Sequence, residues 1–256
     1  MSRLKSIPAV PPAYLGVWQR TLLTTTGGTH DTRTRVYWLQ TGRLFADLRI
    51  PLPAPQSPGE LSAQAGFAGI TEITGDICQW HRAIDFQPPN GGEDIGRMHF
   101  VNSEKVLEDG LDGSYHEVWE RLPESIGRNR GVWLSAADGR QGCLLLAGDC
   151  FLFAAGRRQA LPMADSLTAL LDGDHPELLD FELSFGRHHG GETPWKIELS
   201  TLPARIGAAL LPATAGPDHP ELLRDASWIN SLGARPPAGG WQPCELPLFP
   251  DEEVTP

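Results

Sequence analysis

Residues 66–89 read G-F-A-G-I-T-E-I-T-G-D-I-C-Q-W-H-R-A-I-D-F-Q-P-P. Two runs in which β-branched and aromatic residues alternate with small or polar ones flank the turn pair Gly75-Asp76, the pattern of a β-hairpin. Side chains alternate across a strand, so Cys78, Trp80, Arg82, Ile84 and Phe86 are expected on one face. Gln79, His81, Ala83 and Asp85 take the other. An arginine therefore stands in a row of large apolar side chains. Burying a guanidinium without a partner is costly, so Arg82 is expected to meet a carboxylate, a set of carbonyls or a ligand.

Strands of the same kind extend in both directions. Tyr14 to Thr25 places Tyr14, Gly16, Trp18, Arg20 and Leu22 on one side, again setting an arginine beside aromatics. Arg33 to Thr41 and Arg43 to Ile50 form a second hairpin, ended by the prolines between Pro51 and Pro58. Ile95 to Val101, Lys105 to Glu108 and Ser114 to Leu122 complete a set of some eight short strands over 13–123, the spacing of a barrel or sandwich. After a linker at Pro123 to Asn129, strands resume at Gly131 to Ala136, Gln141 to Ala147, Cys150 to Gly156, Leu178 to Gly186 and Trp195 to Leu202. Leu161 to Leu171 reads as a helix, with Met163, Leu167, Leu170 and Leu171 on one face and Gly173 as its C-cap. From Pro203 the chain is Pro-rich and reads as an irregular wrap, with a short helix near Glu221 to Asn230. Trp228, Trp241, Leu246, Leu248 and Phe249 are expected to dock it.

Gly16-Val17-Trp18 on the first strand and Arg121 on the last of the first set resemble the structural signature of calycins, the superfamily of lipocalins and fatty-acid-binding proteins. There the tryptophan packs against a late arginine at the barrel floor. W-L-Q-T at Trp38, A-D-L-R-I-P at Ala46, G-F-A-G at Gly66, I-D-F-Q-P at Ile84, Y-H-E-V-W at Tyr115, G-D-C-F-L-F-A-A-G-R at Gly148 and F-E-L-S-F-G at Phe181 are similar to a family of bacterial and fungal proteins of little-known function. Its known relative is a yeast protein that interacts with a casein kinase. The resemblance implies an all-β chain of two consecutive calycin-like antiparallel barrels, 13–123 and 130–202, followed by the tail 203–256. The kinase partner is not implied for this divergent chain.

Composition narrows the function. A net charge of −11 argues against nucleic-acid and anionic-membrane surfaces, which need clustered Lys and Arg. Four cysteines without C-x-x-C spacing, no apolar run long enough to cross a bilayer as a helix and no secretory pattern point to the cytoplasm. His81, His99 and His116 lie on three strands but in the row opposite the aromatic one, so no metal and no cofactor are expected. Cys78 reads as a buried structural thiol.

The expected pocket is the lumen of the first barrel, lined by Arg20, Trp38, Gln40, Trp80, Arg82, Tyr115, Glu117 and Trp119. Aromatic walls with a few convergent polar groups suit a small, anionic, partly apolar ligand, for which arginine supplies a two-pronged donor. The competing reading is an internal Arg-Glu pair that holds the barrel together. Asp47 and Arg49, on one face, read as a surface salt bridge or as part of a polar rim. Two further functions stay open: a cofactor-free lyase, isomerase or decarboxylase using Arg82, Tyr115 and Glu117, and a protein-protein adaptor. A homodimer through exposed strand edges is also compatible with the sequence.

Overall fold

The computed structural model describes residues 7–171, 176–189, 193–215 and 226–245. Strands β1 (Gly16–Thr25), β2 (His30–Asp31), β3 (Arg35–Gln40), β4 (Leu44–Ile50), β5 (Ala65–Thr74), β6 (Ile77–Asp85), β7 (Ile95–Asn102), β8 (Lys105–Gly110) and β9 (Tyr115–Arg121) form one antiparallel sheet. It closes on itself because β9 returns to β1, from Trp18 opposite Arg121 to Thr25 opposite Tyr115. The two-residue β2 only pairs alongside the end of β1, at Leu23 and Thr24. The result is a closed eight-stranded barrel, a size at which side chains fill the interior.

Alternation directs one aromatic set inward: Trp18, Trp38, Phe45, Phe67, Trp80 and Trp119. Trp38 is central, its ring 6.3 Å from Trp18, 5.5 Å from Trp80 and 5.9 Å from Trp119. Its indole N–H donates to Gln40 Oε1 at 3.2 Å, and the Thr71 hydroxyl donates to the same oxygen at 2.7 Å, so the polar tip of the buried ring is satisfied. At the floor the Arg121 guanidinium lies 4.6 Å from the Trp18 ring and donates to the Ala13 carbonyl at 2.7 Å. The Trp18 indole donates to the Tyr14 carbonyl at 2.8 Å, which ties the preceding turn across the barrel end.

A β-bulge corrects the expected Arg82 row. The β5–β6 register shifts so that Ala68 faces Ile84 while Gly69 faces Arg82, leaving Ala83 as the extra residue. Parity reverses there. Ile84 and Phe86 leave the Arg82 face and pack outside the barrel, while Asp85, opposite Phe67, moves to the lumen side. Gly69 permits this approach, since a Cβ on it would lie 1.9 Å from the His81 carbonyl oxygen.

The second sheet contains β10 (Asn129–Ala136), β11 (Gln141–Ala147), β12 (Cys150–Ala155), β13 (Glu182–Arg187), β14 (Lys196–Ser200) and β15 (Trp241–Cys244), in the order β14-β13-β12-β11-β10-β15. It is open, with β14 and β15 at its edges, and so differs from the second closed barrel expected over 130–202. The physical reason lies in β11 and β12, whose residues are almost all buried because both faces of the sheet are covered. Leu145, Leu152 and Leu183 pack on the barrel exterior, against Leu39, Leu48 and Ala68. Leu144, Phe151 and Phe153 pack under Leu210, Leu211, Ile229 and Trp241 of the later chain. A sheet sandwiched in this way has no lumen to enclose. The tail also supplies a strand, β15, along β10.

The helix expected over Leu161 to Leu171 shortens to α2 (Leu167–Leu170), capped by Ser166, and Gly173 lies outside the described residues. An unexpected α1 (Pro58–Ser62) starts with a capping box from Ser57 and Glu60. Of the tail helix, Ala226–Ile229 is described. Trp228 and Trp241 pack against the sheet, whereas Leu246, Leu248 and Phe249 fall outside the described residues.

Tyr37 of β3 and Phe185 of β13 stack at 4.4 Å with ring planes 7° apart, joining barrel and sheet. Phe185→Ala is expected to cost about 3–4 kcal/mol in denaturant unfolding, because a nearly sealed aromatic leaves a cavity. A loss below about 1 kcal/mol would mean that the seam repacks around the missing ring.

Candidate functional site at the barrel mouth

Toward its open end the lumen turns polar. Arg20 contacts Glu117 at 2.6 Å and Asp31 at 3.0 Å, and Arg49 contacts Asp47 at 2.7 Å. Arg82 bridges Asp85 and Asp94, both at 2.8 Å. One buried carboxyl, Glu108, has neutral donors instead: the Tyr115 hydroxyl at 2.8 Å and the Trp119 indole N–H at 3.0 Å. It stands directly opposite Glu117 on the neighbouring strand. Burial first, and the Glu117 charge second, push the Glu108 carboxyl up to about 8.

The lumen is full. A cavity of about 10 Å³ remains among Trp38, Phe45, Phe67, Trp80 and Trp119, room for one water at most. Arg82 stacks on one of its lining rings, with its guanidinium 3.5 Å from the centre of the Phe67 ring. A lumen-filling ligand, as the sequence suggests, has no space in this structure.

Open space lies just outside. β6 and β7 pair only from Ile77 to Gln79 and then part, with the Trp80 amide donating to the Asp94 carbonyl at 2.9 Å across the gap. Between this seam and the second sheet is a cleft of about 810 Å³, within the range of small-molecule sites. Trp80, Arg82 and Ile84 form one wall, loop residues Pro88 to Asp94 another, and Arg157, Leu161 and Phe181 the third.

Three arginines reach the cleft, in different states. Arg82 is matched by two carboxylates, and Arg158 lies 3.3 Å from Asp138. Arg157 makes no ion pair among the described residues. Its guanidinium donates to the carbonyls of Leu178 (2.7 Å), Asp85 (3.1 Å) and Phe86 (2.8 Å) and lies 5.1 Å from the rings of both Phe86 and Phe181. Burial lowers it to about 10, so it remains cationic at neutral pH. It therefore clamps the end of the barrel strand to the second sheet and leaves a positive charge facing the cleft.

The residues singled out from the sequence divide accordingly. Trp38, Trp80, Trp119 and Gln40 face the lumen, and Arg20 pairs with Glu117. Tyr115 bonds Glu108 rather than Glu117. Arg82 is at the mouth, 35% of its side chain exposed, and not in the row with Ile84 and Phe86. Asp47 and Arg49 line the mouth with Asp47 buried, which corrects the surface-pair reading. Sequence reading passed over Glu108, Asp94 and Arg157. Glu108 carried a signal, sharing parity with buried Val106 on β8; the other two sit on loops, where no period exists. His81 pairs with Glu72 and His116 with Asp109, and His99 is exposed, so the three do not converge. Burial pushes the Cys150 thiol up to about 12, and Cys78 and Cys143 are likewise buried and raised.

No protein-family model and no curated protein matches this chain. Among solved structures it is similar to the uncharacterised protein YLR301w from Saccharomyces cerevisiae, at 15% identity with a TM-score of 0.57, covering 90% of this chain and 98% of that one. This likeness concerns the fold. A lipocalin-like protein from Bacteroides uniformis and an uncharacterised protein from Bacteroides eggerthii each cover 43% of this chain at 10% identity with TM-scores of 0.32. No helix among the described residues is long and apolar enough to cross a membrane.

Proposed function

We propose that the protein binds a small, partly apolar anion in the cleft at the barrel mouth. The observation that supports this most is Arg157, a cation held by neutral carbonyls alone at the wall of an open cleft floored by Trp80, Ile84 and Phe181. Asp85 and Asp180 act on Arg157 only at a distance, so a ligand carboxylate would add the direct counter-charge, and the apolar wall would take its hydrocarbon part. Arg82, poised between Asp85, Asp94 and the Phe67 ring, flanks the same space. On this reading the aromatic lumen is the rigid support of the site and not its container.

Octanoate and phenylacetate, with octylamine and phenethylamine as charge-reversed controls, test this by calorimetry. Carboxylates are expected to bind and amines not to. Ala160→Trp, which places a ring in the cleft from an exposed position, should weaken binding about tenfold or more, equivalent to 1.4 kcal/mol, with little change in melting temperature. Preference for amines would overturn the charge assignment, and binding indifferent to Ala160→Trp would overturn the location.

A second reading, cofactor-free acid–base catalysis, draws on one observation, the Tyr115–Glu108 pair with a carboxyl that titrates near neutrality. Turnover of a bound carboxylate that disappears in Glu108→Gln while binding persists would favour it.

A further inference from the structure

One wall of the cleft is a strand edge. β6 runs on to Asp85, but β7 begins at Ile95 and pairs with it only from Ile77 to Gln79. Beyond the contact between Trp80 and Asp94, the outer edge of β6 has no strand beside it among the described residues. The inner edge is followed by β5 to its end, from Thr74 opposite Ile77 to Phe67 opposite Asp85. An edge left open in this way is a template for another chain.

Alternation determines which backbone groups face the cleft. Trp80 directs its amide to Asp94, away from β5, and the amide and carbonyl of Arg82, two residues on, take the same side. At the far end the Phe86 amide donates to the Gly66 carbonyl at 2.8 Å, so the preceding Asp85 turns its own amide and carbonyl away from β5. The Asp85 carbonyl accepts from Arg157 at 3.1 Å, in keeping with that direction. Residues three apart on a regular strand would face opposite ways, and the bulge at Ala83 is what sets Arg82 and Asp85 on one edge.

The Arg82 amide, the Arg82 carbonyl and the Asp85 amide have no hydrogen-bond partner among the described residues. Arg157 stands at the end of the same edge, bonded to the Asp85 carbonyl and cationic at neutral pH. Ile84, Leu161 and Phe181 line the space beside it. Backbone donors and an acceptor, a positive charge and an apolar wall therefore follow one another along a single line.

We infer that the cleft takes the carboxy-terminal end of a peptide, laid along β6 as an added strand, an inference that rests on the anion reading of the same cleft. A peptide end is an anion whose own amides and carbonyls alternate as a strand edge requires, so it uses groups that a fatty or aromatic acid leaves facing water. Its carboxylate meets Arg157, and its last side chain lies on Ile84, Leu161 and Phe181. The charge sets the direction. Arg157 is bonded at the C-terminal end of β6, so the peptide runs parallel to β6; the reverse course would carry its carboxylate toward Glu93 and Asp94 at the Trp80 end. The loop Pro88 to Asp94 walls the edge in, which admits a short peptide end to the 810 Å³ space and keeps out the sheet of a second copy.

N-acetyl-Ala-Ala-Leu, its carboxamide and octanoate, followed by calorimetry and by amide hydrogen exchange of the full chain, test the inference. The peptide is expected to bind about tenfold more tightly than octanoate, the net of two ordinary hydrogen bonds, and to slow exchange at the Arg82 and Asp85 amides. Octanoate should leave exchange at these two amides unchanged. N-methylation of the peptide amides keeps the charge and blocks the strand contacts, so affinity should return to the octanoate level, and the carboxamide should lose binding. If octanoate binds and the peptide binds no more tightly, or if the Arg82 and Asp85 amides exchange as before at saturation, the added strand is overturned and the anion site stands. If neither octanoate nor the peptide binds, the anion reading fails and this inference with it.

Discussion

Gly69→Ala is expected to lower stability by about 3 kcal/mol or more in denaturant unfolding, one of the largest single-residue effects in this chain. The added Cβ would lie 1.9 Å from the His81 carbonyl oxygen and 3.1 Å from the Ala83 amide nitrogen, both backbone atoms that no rotamer change moves aside. Relief requires opening the bulge. That would return Ile84 and Phe86 to the lumen row and withdraw them from the core between barrel and sheet, so local strain becomes lost burial. Gly59→Ala is the matched control. Its Cβ meets nothing within 4 Å and it lies within α1, so alanine there is expected to be neutral or mildly stabilising. Equal, small effects of the two substitutions would remove the bulge from the account.

The second large effect is pH-dependent. The folded-state value of Glu108 is raised from 4.5 to about 8, so the folded protein holds a proton that the unfolded chain releases near pH 4.5. A group raised in this way contributes its full stability below the unfolded value and loses it as the pH climbs through the folded one. Glu108→Gln replaces the protonated acid with a neutral group of the same shape, and the Tyr115 hydroxyl can rotate to accept from the amide. The variant is therefore expected to match the parent near pH 4 and to exceed it by about 4 kcal/mol at pH 8, where the parent must either hold a proton that the unfolded chain has released or ionise Glu108 beside Glu117. A gain at pH 8 no larger than at pH 4 would contradict the assignment of a neutral Glu108. Melting curves of both proteins across that interval provide the comparison.

How much of this was legible in the sequence depends on whether alternation holds. Along β3, β9 and the first half of β1 it does, and Trp18, Trp38, Arg20, Glu117 and Trp119 all face the lumen as parity requires; a register shift between Arg20 and Leu22 then sets Leu22 opposite Val118, off the Trp18 and Arg20 face on which parity alone placed it. Along β6 the same rule fails after Arg82, because one extra residue inverts every later side chain. The small residues of G-F-A-G carry only a weak hint of the bulge that Gly69 permits. In the second half, C-L-L-L-A and C-F-L-F-A-A are continuous apolar runs and not alternating ones. That is the mark of strands buried on both faces, and it accounts for an open covered sheet where a barrel was expected. The cleft was not legible. Only its β6 wall, with Trp80 and Arg82, stands on a periodic element; its other walls are loops, Pro88 to Asp94 and Arg157 to Leu161, brought together only when the sheet docks on the barrel.

The most direct test of the central claim, that the cleft at the barrel mouth holds a small anion, is native mass spectrometry of the protein as purified, beside Ala160→Trp. The account predicts a bound acidic molecule released on denaturation, present in the parent and depleted in the variant. An adduct retained in full by Ala160→Trp, or a released species that is a cation, would contradict it.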